Sequence, residues 1–273
     1  MTDWEAEWRA AHERSPLRIT PENAERWRDF WSEDSDHYLE EARAEAGFFE
    51  KVVALLAKEG WLRPGDVVLD VGCGPGTLAL PLSGRVRKVV ALDEAEGMLR
   101  TLERECDERG ICNVSTIARS WNDFRGAGEH DLVLASQSPA IRSGEDLRAM
   151  ERASRDRCCL IVSCPSDIMA TRNELWELVV GEFQPSDAYS SKYPVNLLRE
   201  MGRHVEVFRA TGEVVSSRPV PDVVAHYARY FEIFTEMTAE KVHAIEEHFL
   251  SRSEGGIYVR RNSRCMDLVC WKV

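Results

Sequence analysis

A glycine-rich turn directly after an apolar run is the stretch of this sequence with the clearest chemistry. Gly72, Gly74 and Gly76 follow residues 67–71, an apolar and largely β-branched run typical of strands buried on both faces of a parallel sheet. Glycine lets the chain turn sharply and lets a ligand approach the backbone closely. Apolar residues resume at Leu78, which predicts a strand, a turn and a helix. This order opens the βαβ units that bind nucleotide-like ligands.

Two carboxylates frame the turn and narrow the class of ligand. Asp93 ends the next apolar run, 21 residues after Gly72, where an acid suits the ribose hydroxyls of a dinucleotide or of S-adenosylmethionine alike. The dinucleotide pattern G-x-G-x-x-G places its third glycine at position 77, where this chain has Thr77. Asp70 lies two residues before Gly72, where it would repel a pyrophosphate but accept a cationic amino acid group. The turn therefore favours a cationic ligand without phosphate and disfavours a dehydrogenase on the same fold.

The same residues resemble a known family. Residues 68–76, VLDVGCGPG, are similar to the first motif of class I S-adenosylmethionine-dependent methyltransferases, and residues 91–93 with Met98 and Leu99 resemble the second. The resemblance covers about residues 50–165. It implies S-adenosylmethionine as cofactor, S-adenosylhomocysteine as product, and in-line transfer of the methyl group to a small or medium-sized molecule. The cofactor-binding residues that we expect are Asp70, Gly72, Cys73, Gly74, Gly76, Asp93, Glu94, Met98, Ser120, Trp121 and Ser136.

The resemblance also implies which part of the cofactor most of these residues contact. The glycine turn would hold the methionine end, Asp93 the ribose, and Glu94 and Met98 the adenosine. Ser120 and Trp121 would flank the adenine. Ser120 departs from the family pattern, because an aspartate often accepts from the adenine amino group at that position. Trp121 would then compensate through its backbone or its ring, or be a packing residue only.

No residue of the sequence stands out as catalytic. The sulfonium methyl is already activated, so the protein mainly has to align the reactants and exclude water, and a base helps only if the acceptor must lose a proton. Ser136 and Gln137 end the fourth predicted strand and either reach the ligands or only terminate the strand. The segments expected to cover the pocket also contain several histidines and tyrosines, which we interpret as structural rather than catalytic: His37, Tyr38, His226, Tyr227 and Tyr230.

Composition bears on the remaining function classes. The net charge of −12 and the pI near 5.2 give no attraction to phosphate backbones, which disfavours a nucleic-acid partner. No apolar run approaches the roughly 20 residues of a membrane span, and the N-terminus is acidic, so we expect a cytoplasmic protein without membrane contact. A non-catalytic S-adenosylmethionine-binding or regulatory protein stays open as an alternative, as does an RNA methyltransferase. The sequence leaves the acceptor and the oligomeric state open.

The eight cysteines of the chain suggest neither a metal site nor a disulfide framework. None of them has the C-x-x-C spacing of a zinc site, and the thiols of a cytosolic protein stay reduced. We therefore expect small core residues, because free cysteine packs like a small hydrophobe.

Strand and helix patterns alternate through the middle of the chain and predict an α/β fold. We expect a doubly wound, mostly parallel seven-stranded sheet with an N-terminal helical cap and a C-terminal helical insertion. The expected parts are the cap at residues 1–60, the S-adenosylmethionine-binding Rossmann-like core at residues 61–165, and residues 166–273 as the C-terminal part of the same domain. That last part would contain the helical insertion and the closing strands.

The cap contains tryptophans at helical spacing. Trp27 and Trp31 lie four residues apart and so share a helix face, with Tyr38 nearby. These three residues either pack the cap onto the core or form part of a lid over the ligand. Thr20, followed by Pro21, is the predicted N-cap of their helix.

The C-terminal part has weaker patterns. Residues 205–208 are predicted to form a strand that pairs with residues 213–216 in a hairpin. Residues 221–250 are predicted to form a long helical region. Residues 257–259 and 264–273 alternate in polarity and are predicted to form closing strands.

Overall fold

A sheet with a mostly parallel core forms the centre of the fold in the computed structural model, which describes residues 2–164, 170–183 and 187–273. Seven strands lie in the order β3-β2-β1-β4-β5-β8-β6, and the short β7 pairs with β8 outside this line. β1 to β5 run parallel, whereas β8 is antiparallel to both β5 and β6. The strands are β1 (Val67–Val71), β2 (Lys88–Asp93), β3 (Val114–Ala118), β4 (His130–Ser136), β5 (Ser154–Ser163), β6 (Val205–Pro219), β7 (Ser253–Glu254) and β8 (Ile257–Lys272).

Helices cover both faces of this sheet. α3, α4 and α5 pack on one face and α1, α6 and α8 on the other, while α2, α7, α9 and α10 form a third apolar cluster. The helices are α1 (Trp4–Arg14), α2 (Ala24–Glu33), α3 (Ser35–Lys58), α4 (Ala79–Ser83), α5 (Glu96–Arg109), α6 (Gly144–Ala153), α7 (Ala170–Val179), α8 (Lys192–Glu200), α9 (Val220–Glu232) and α10 (Ala239–Leu250). The predicted α/β class with a doubly wound, mostly parallel sheet is confirmed.

The continuous apolar runs of the central strands follow from this layering. Neighbouring residues of a strand point to opposite faces, and both faces are covered. Val68 accordingly packs with α3 to α5, whereas Leu69 packs in the cluster that contains α1, α6 and α8, and both are fully buried.

The predicted hairpin within residues 205–216 is wrong. β6 is one strand of 15 residues, which pairs with the 16 residues of β8 from Val205 opposite Trp271 to Pro219 opposite Ile257. Gly212 lies inside β6. A Cβ atom there would lie 2.8 Å from Cδ2 of Phe48, so this glycine lets α3 pack closely on the strand.

Two predicted helix boundaries in the flanking parts also differ. α2 begins at Ala24 after Asn23, and the side chain of Asn23 accepts a hydrogen bond from the backbone of Thr20 at 2.8 Å. Thr20 is therefore not the N-cap. The predicted helical region at 221–250 is two helices, because the chain leaves α9 after Glu232 and Thr238 then caps α10 by accepting from the backbone N–H of Lys241.

The cysteines only partly match the expectation of reduced core residues. Cys164 and Cys265 form a disulfide between the end of β5 and the facing residue of β8. Their backbones are already joined by the antiparallel pairing, in which Cys164 donates to the carbonyl of Cys265 at 2.9 Å. The pairing of β5 with β8 brings the two thiols together. The two cysteines are 101 residues apart in the sequence, so their spacing does not predict the disulfide.

No helix among the described residues is long and apolar enough to cross a membrane. The cytoplasmic location stays a prediction.

Candidate functional site

A cavity of about 600 Å³ lies between the cap and the carboxyl ends of β1, β2 and β4. Ligands of open α/β sheets bind at this edge, where the strand order reverses. β1 lies between β2 and β4, so the turn after it stands at that reversal. The cavity is lined by ten of the residues expected to bind cofactor: Asp70, Gly72, Cys73, Gly74, Asp93, Glu94, Met98, Ser120, Trp121 and Ser136.

The turn after β1 depends on two glycines for different reasons. Gly72 and Gly74 have φ angles of +69° and +55°, in the left-handed region that favours glycine. A Cβ atom on Gly72 would lie 2.3 Å from Oγ of Ser138, so this position is closely packed. A Cβ atom on Gly74 would meet no atom within 4 Å, so that position is open toward the cavity.

Asp93 holds the turn in place from the end of β2. One carboxylate oxygen accepts from the backbone N–H of Gly74 and the other from that of Ala95, both at 2.9 Å. Burial raises the pKa of Asp93. Each oxygen has a second lone pair, so the carboxylate can still accept from ligand hydroxyls.

Gly76 does not line the cavity. A Cβ atom there would lie 2.5 Å from Cδ1 of Leu102 and 3.0 Å from Cγ of Leu80. The third glycine of the motif therefore permits the turn to pack against α4 and α5, and we assign it no ligand contact.

Asp70 is a buried carboxylate with an unused oxygen. Its exposed fraction is 1%, and Oδ2 has no hydrogen-bond partner among the described residues. Burial, followed by repulsion from Asp93, raises the pKa of Asp70 from 3.8 to about 7. Because a buried anion without a partner is costly, the cavity suits a ligand that brings a positive charge to this point. The ammonium group of S-adenosylmethionine fits this requirement.

The far end of the cavity is formed by the loop after β3. Oγ of Ser120 accepts from the backbone N–H of Asn122 at 3.3 Å, so this hydroxyl caps the short turn that follows. The ring of Trp121 stacks on Phe124 with centroids 5.7 Å apart, and its Nε1 is buried without a partner among the described residues. Trp121 thus packs on Phe124 and also lines the cavity. The structure is therefore consistent with a contact to the adenine and with a packing role.

The loop after β4 carries an unusual backbone conformation. Gln137 has a φ angle of +50°, which is uncommon for a residue other than glycine. Its side chain donates to Oγ of Ser163 at 2.7 Å, and its backbone N–H donates to Ile161 at 2.9 Å. These bonds hold Ser136 and Ser138 at the cavity edge.

The wall opposite the glycine turn comes from the cap and from the C-terminal part. It includes aromatic residues and two ion pairs, Glu41 with Arg260 and Glu45 with Arg264. Nε of Arg264 lies 3.0 Å from Oε1 of Glu45. This wall consists of Trp31, His37, Tyr38, Glu41, Glu45, Phe49, His226, Arg260 and Arg264.

Three of the five histidines and tyrosines singled out from the sequence line this wall, and two do not. His37, Tyr38 and His226 face the cavity. Tyr230 instead packs on Trp27, and Tyr227 stacks on Phe249, with centroids 5.9 and 5.4 Å apart.

Asp34 is a site residue that the sequence did not single out. It is buried between α2 and α3, and its Oδ2 lies 2.6 Å from Nδ1 of His226. Asp34 and His226 are 192 residues apart, so no local pattern links them. The ring of His226 also stacks on His37, with centroids 3.8 Å apart and planes 6° apart.

Comparisons with known proteins point to the same region. Residues 68–156 match a family model described as a methyltransferase domain. An uncharacterized protein of Haemophilus influenzae is 39% identical over 83 residues, which is 30% of this chain and 31% of that protein. The nocamycin O-methyltransferase of Saccharothrix syringae is 39% identical over 98 residues, which is 34% of this chain and 35% of that enzyme. The chain thus matches about a third of the length of these relatives.

A solved structure extends the likeness beyond the matched domain. The YcgJ protein of Bacillus subtilis superposes with a TM-score of 0.51 and 16% identity, covering 80% of this chain and 96% of that one. At this identity the likeness concerns the fold. Residues 68–156, which contain the motifs at β1 and β2, are therefore similar to a methyltransferase domain, and the fold of the chain is similar to that of YcgJ.

Proposed function

We propose that this chain binds S-adenosylmethionine at the carboxyl edge of its sheet and transfers the methyl group to a small molecule. The observation that carries the proposal is the unpartnered oxygen of Asp70 beside the open backbone of Gly74. A buried carboxylate next to a turn without side chains fits an amino acid end that carries positive charge and no phosphate.

The expected cofactor-binding residues that line the cavity can each be assigned to a part of the cofactor. Asp70, Gly72, Cys73 and Gly74 would bind the methionine end, and Asp93 the ribose. The adenosine would lie along Glu94, Met98, Ser120 and Trp121, and Ser136 would stand near the methionine portion. The cofactor supplies an activated methyl group on a sulfonium. The protein has to orient the acceptor toward that group and exclude water.

A small acceptor is favoured by the shape and charge of the site. The cap and the C-terminal part cover the cavity from the side opposite the turn. The chain carries a net charge of −12, which does not attract a phosphate backbone. One relative that matches a third of this chain is named as an O-methyltransferase of a small molecule, nocamycin.

We also propose the division of labour that the sequence suggested. Residues 61–165 would bind the cofactor, residues 1–60 would cap the site, and residues 166–273 would complete the same domain. The cap and the C-terminal part would together select the acceptor, since both contribute to the wall opposite the turn.

Calorimetry with S-adenosylmethionine tests the cofactor assignment through Gly74→Ala. The added methyl group projects into the proposed site, so we expect the affinity to fall at least about tenfold, which is roughly 1.4 kcal/mol. Gly60→Ala is the matched control, because Gly60 also has a positive φ of +81° and open surroundings but lies outside the cavity. Equal affinities in the two variants would refute the assignment, and binding without methyl transfer to any acceptor would favour a non-catalytic binding protein.

A further inference from the structure

An acid and two imidazoles are in contact where α2 and α3 meet α9. Oδ2 of Asp34 lies 2.6 Å from Nδ1 of His226, and the rings of His226 and His37 are stacked. Both histidines line the cavity. The side chain of Asp34 is 1% exposed and that of His226 is 14% exposed, so the contact is sheltered from bulk water.

The carboxylate of Asp34 is not used for helix capping and can hold the ring of His226. Asp34 stands at the N-cap position of α3 but makes no side-chain cap hydrogen bond. Its other oxygen lies 3.3 Å from Nη1 of Arg229.

We infer that His226 is the general base of the reaction and that Asp34 is its positioning residue. The inference rests on the proposed function and specifies it, because such a base is useful only for an acceptor that must lose a proton. Asp34 holds the Nδ1 proton, which leaves the lone pair on Nε2 for the acceptor. No described residue bonds Nε2 of His226.

The acceptor class that gains most from this arrangement is a neutral hydroxyl of phenol or enol type. A neutral amine already presents a lone pair, whereas a hydroxyl oxygen becomes a strong nucleophile only as its proton leaves. The aromatic side chains of Trp31, Tyr38 and Phe49 line the same wall and suit a flat acceptor. In the transfer, the acceptor oxygen forms its bond to the methyl carbon, the carbon–sulfur bond breaks with its electron pair on sulfur, and the hydroxyl proton moves to Nε2.

His37 supports this role without competing for the proton. Burial, followed by the charges of His226, Arg218 and Arg260, lowers the pKa of His37 to about 2. His37 is therefore a neutral ring at working pH, and a neutral ring tolerates a protonated imidazole stacked on it. The titratable and charged groups around the pair are Asp34, Tyr38, Glu40, Glu41, Arg218, Tyr227, Arg229, Tyr230 and Arg260.

A metal ion fits the same three residues poorly, although their ligating atoms lie within 4.8 Å of one another. Ligands on a tetrahedral zinc at about 2.0–2.1 Å lie roughly 3.3 Å apart, whereas Asp34 and His226 are in direct hydrogen-bond contact at 2.6 Å. Imidazole lone pairs also lie in the ring planes, and the planes of His37 and His226 are nearly parallel, so their lone pairs do not converge.

Nuclear magnetic resonance of the full chain with ¹⁵N-labelled histidine tests the pair without cofactor or acceptor. We expect neutral His226 to carry its proton on Nδ1, where the carboxylate of Asp34 accepts it, and Asp34→Leu to move part of that proton population to Nε2. A proton on Nε2 in the wild type, or an unchanged distribution of the proton in Asp34→Leu, would overturn the inference. Neither outcome depends on whether the chain is a methyltransferase.

Methyl transfer to two phenols tests the role of the base. At pH 8.5, 4-nitrophenol is already ionised and 4-methylphenol is not. In His226→Asn we expect kcat for 4-methylphenol to fall about 10²- to 10⁴-fold and kcat for 4-nitrophenol to fall far less. Asp34→Asn should displace the pH profile of the 4-methylphenol reaction. Equal losses with both phenols, or transfer to amines or thiols but to neither phenol, would contradict the inference.

His248→Asn is the matched control. This buried histidine of α10 lies beside Glu174 of α7 and outside the cavity. It should leave transfer to both phenols unchanged. Calorimetry separates the two proposals. If the wild type does not bind S-adenosylmethionine, the proposed function is refuted. If the wild type and His226→Asn both bind it normally and transfer the methyl group at equal rates, only the role of His226 as general base is refuted.

Discussion

Replacing Asp70 by asparagine should stabilise the ligand-free chain at alkaline pH and weaken its binding of a cationic ligand. Asp70 is 1% exposed, and its Oδ2 has no partner among the described residues. Asparagine keeps the shape of the side chain and removes its charge. The two opposite effects of one substitution distinguish a ligand-binding carboxylate from one that serves the fold.

The size of the stability effect follows from the pKa of the carboxyl group. Burial and the charge of Asp93 raise the pKa of Asp70 from 3.8 to about 7. Between these values the folded chain keeps a proton that the unfolded chain has released, so the free energy of unfolding falls as pH rises, and the loss is complete above about pH 7. At roughly 1.4 kcal/mol per pH unit, this group costs the wild type about 3 kcal/mol between pH 5 and pH 8.5.

Urea unfolding of wild type and Asp70→Asn at these two pH values measures the effect. The unpaired amide of asparagine costs about 1–3 kcal/mol at both pH values, so it cancels when the change with pH is compared between proteins. Asp123→Asn, an exposed acid at the same sheet edge, should behave as the wild type does. A difference between wild type and Asp70→Asn that is the same at both pH values would refute the reasoning.

Calorimetry at pH 7.5 measures the second effect of Asp70→Asn. A hydrogen bond to a charged group contributes about 1.5–3 kcal/mol, so we expect S-adenosylmethionine to bind roughly 10- to 100-fold more weakly. Between pH 5.5 and pH 7 the wild-type affinity should rise with pH, because only the ionised carboxylate attracts the ammonium group. An affinity that asparagine leaves unchanged would show that Asp70 does not hold the cationic end.

Three further predictions concern the framework of the site. Arg157→Met should lower the free energy of unfolding in urea by about 3–5 kcal/mol, because the buried carboxylate of Asp66 loses the guanidinium that lies 2.7 Å from it and keeps, among the described residues, only the backbone N–H of Arg63. Gly97→Ala should cost about 1–3 kcal/mol and speed proteolysis of the cap, since a Cβ atom there would lie 2.0 Å from the carbonyl oxygen of Ser32. Cys164→Ser should cost about 2–5 kcal/mol under oxidising conditions, measured by thermal unfolding, because it opens a loop of 101 residues.

Each of these predictions has a control within the chain. Adding Asp66→Asn to Arg157→Met should recover part of the lost stability, and no recovery would contradict the cost assigned to an unpaired charge. Gly84→Ala, which has open surroundings and no positive φ, should leave proteolysis unchanged. A reducing agent should lower the wild-type midpoint to that of Cys164→Ser, and an unaffected wild type would contradict the disulfide.

The part of the fold that the sequence predicts well is the part where one physical signal dominates. β1 spans the predicted residues 67–71 and β2 ends at Asp93 as predicted, because strands buried on both faces read as unbroken apolar runs. Residue type and spacing predict the glycine turn and the acid at the end of β2 equally well. Ten of the eleven expected cofactor residues line the cavity, and whether they bind cofactor stays a prediction.

Features that depend on distant packing could not be predicted in this way. Gly76 matches the motif by type, yet its environment is Leu80 and Leu102 rather than the cavity. Glycine serves both turns and close helix contacts, and at Gly212 only the position of Phe48 shows that it serves a close helix contact. Asp34 and His226 meet across 192 residues, so neither residue carries a local signal of the pair.

The aromatic residues of the cap pack as one of the two interpretations of their spacing predicted, and their role as a lid over the ligand stays a prediction. Trp27 packs in the apolar cluster of α2, α7, α9 and α10, whereas Trp31 and Tyr38, which pack against the same cluster, also line the cavity. α1 is anchored elsewhere, because Nε1 of Trp8 donates to the carbonyl of Ala188 at 3.0 Å on the other side of the sheet. The described residues 2–40 of the cap are thus held at two separate places. Because α2 packs against α9, the helix that carries His226, a displacement of α2 would also change the contact between Asp34 and His226, so the position of the cap and the placement of the proposed base are coupled.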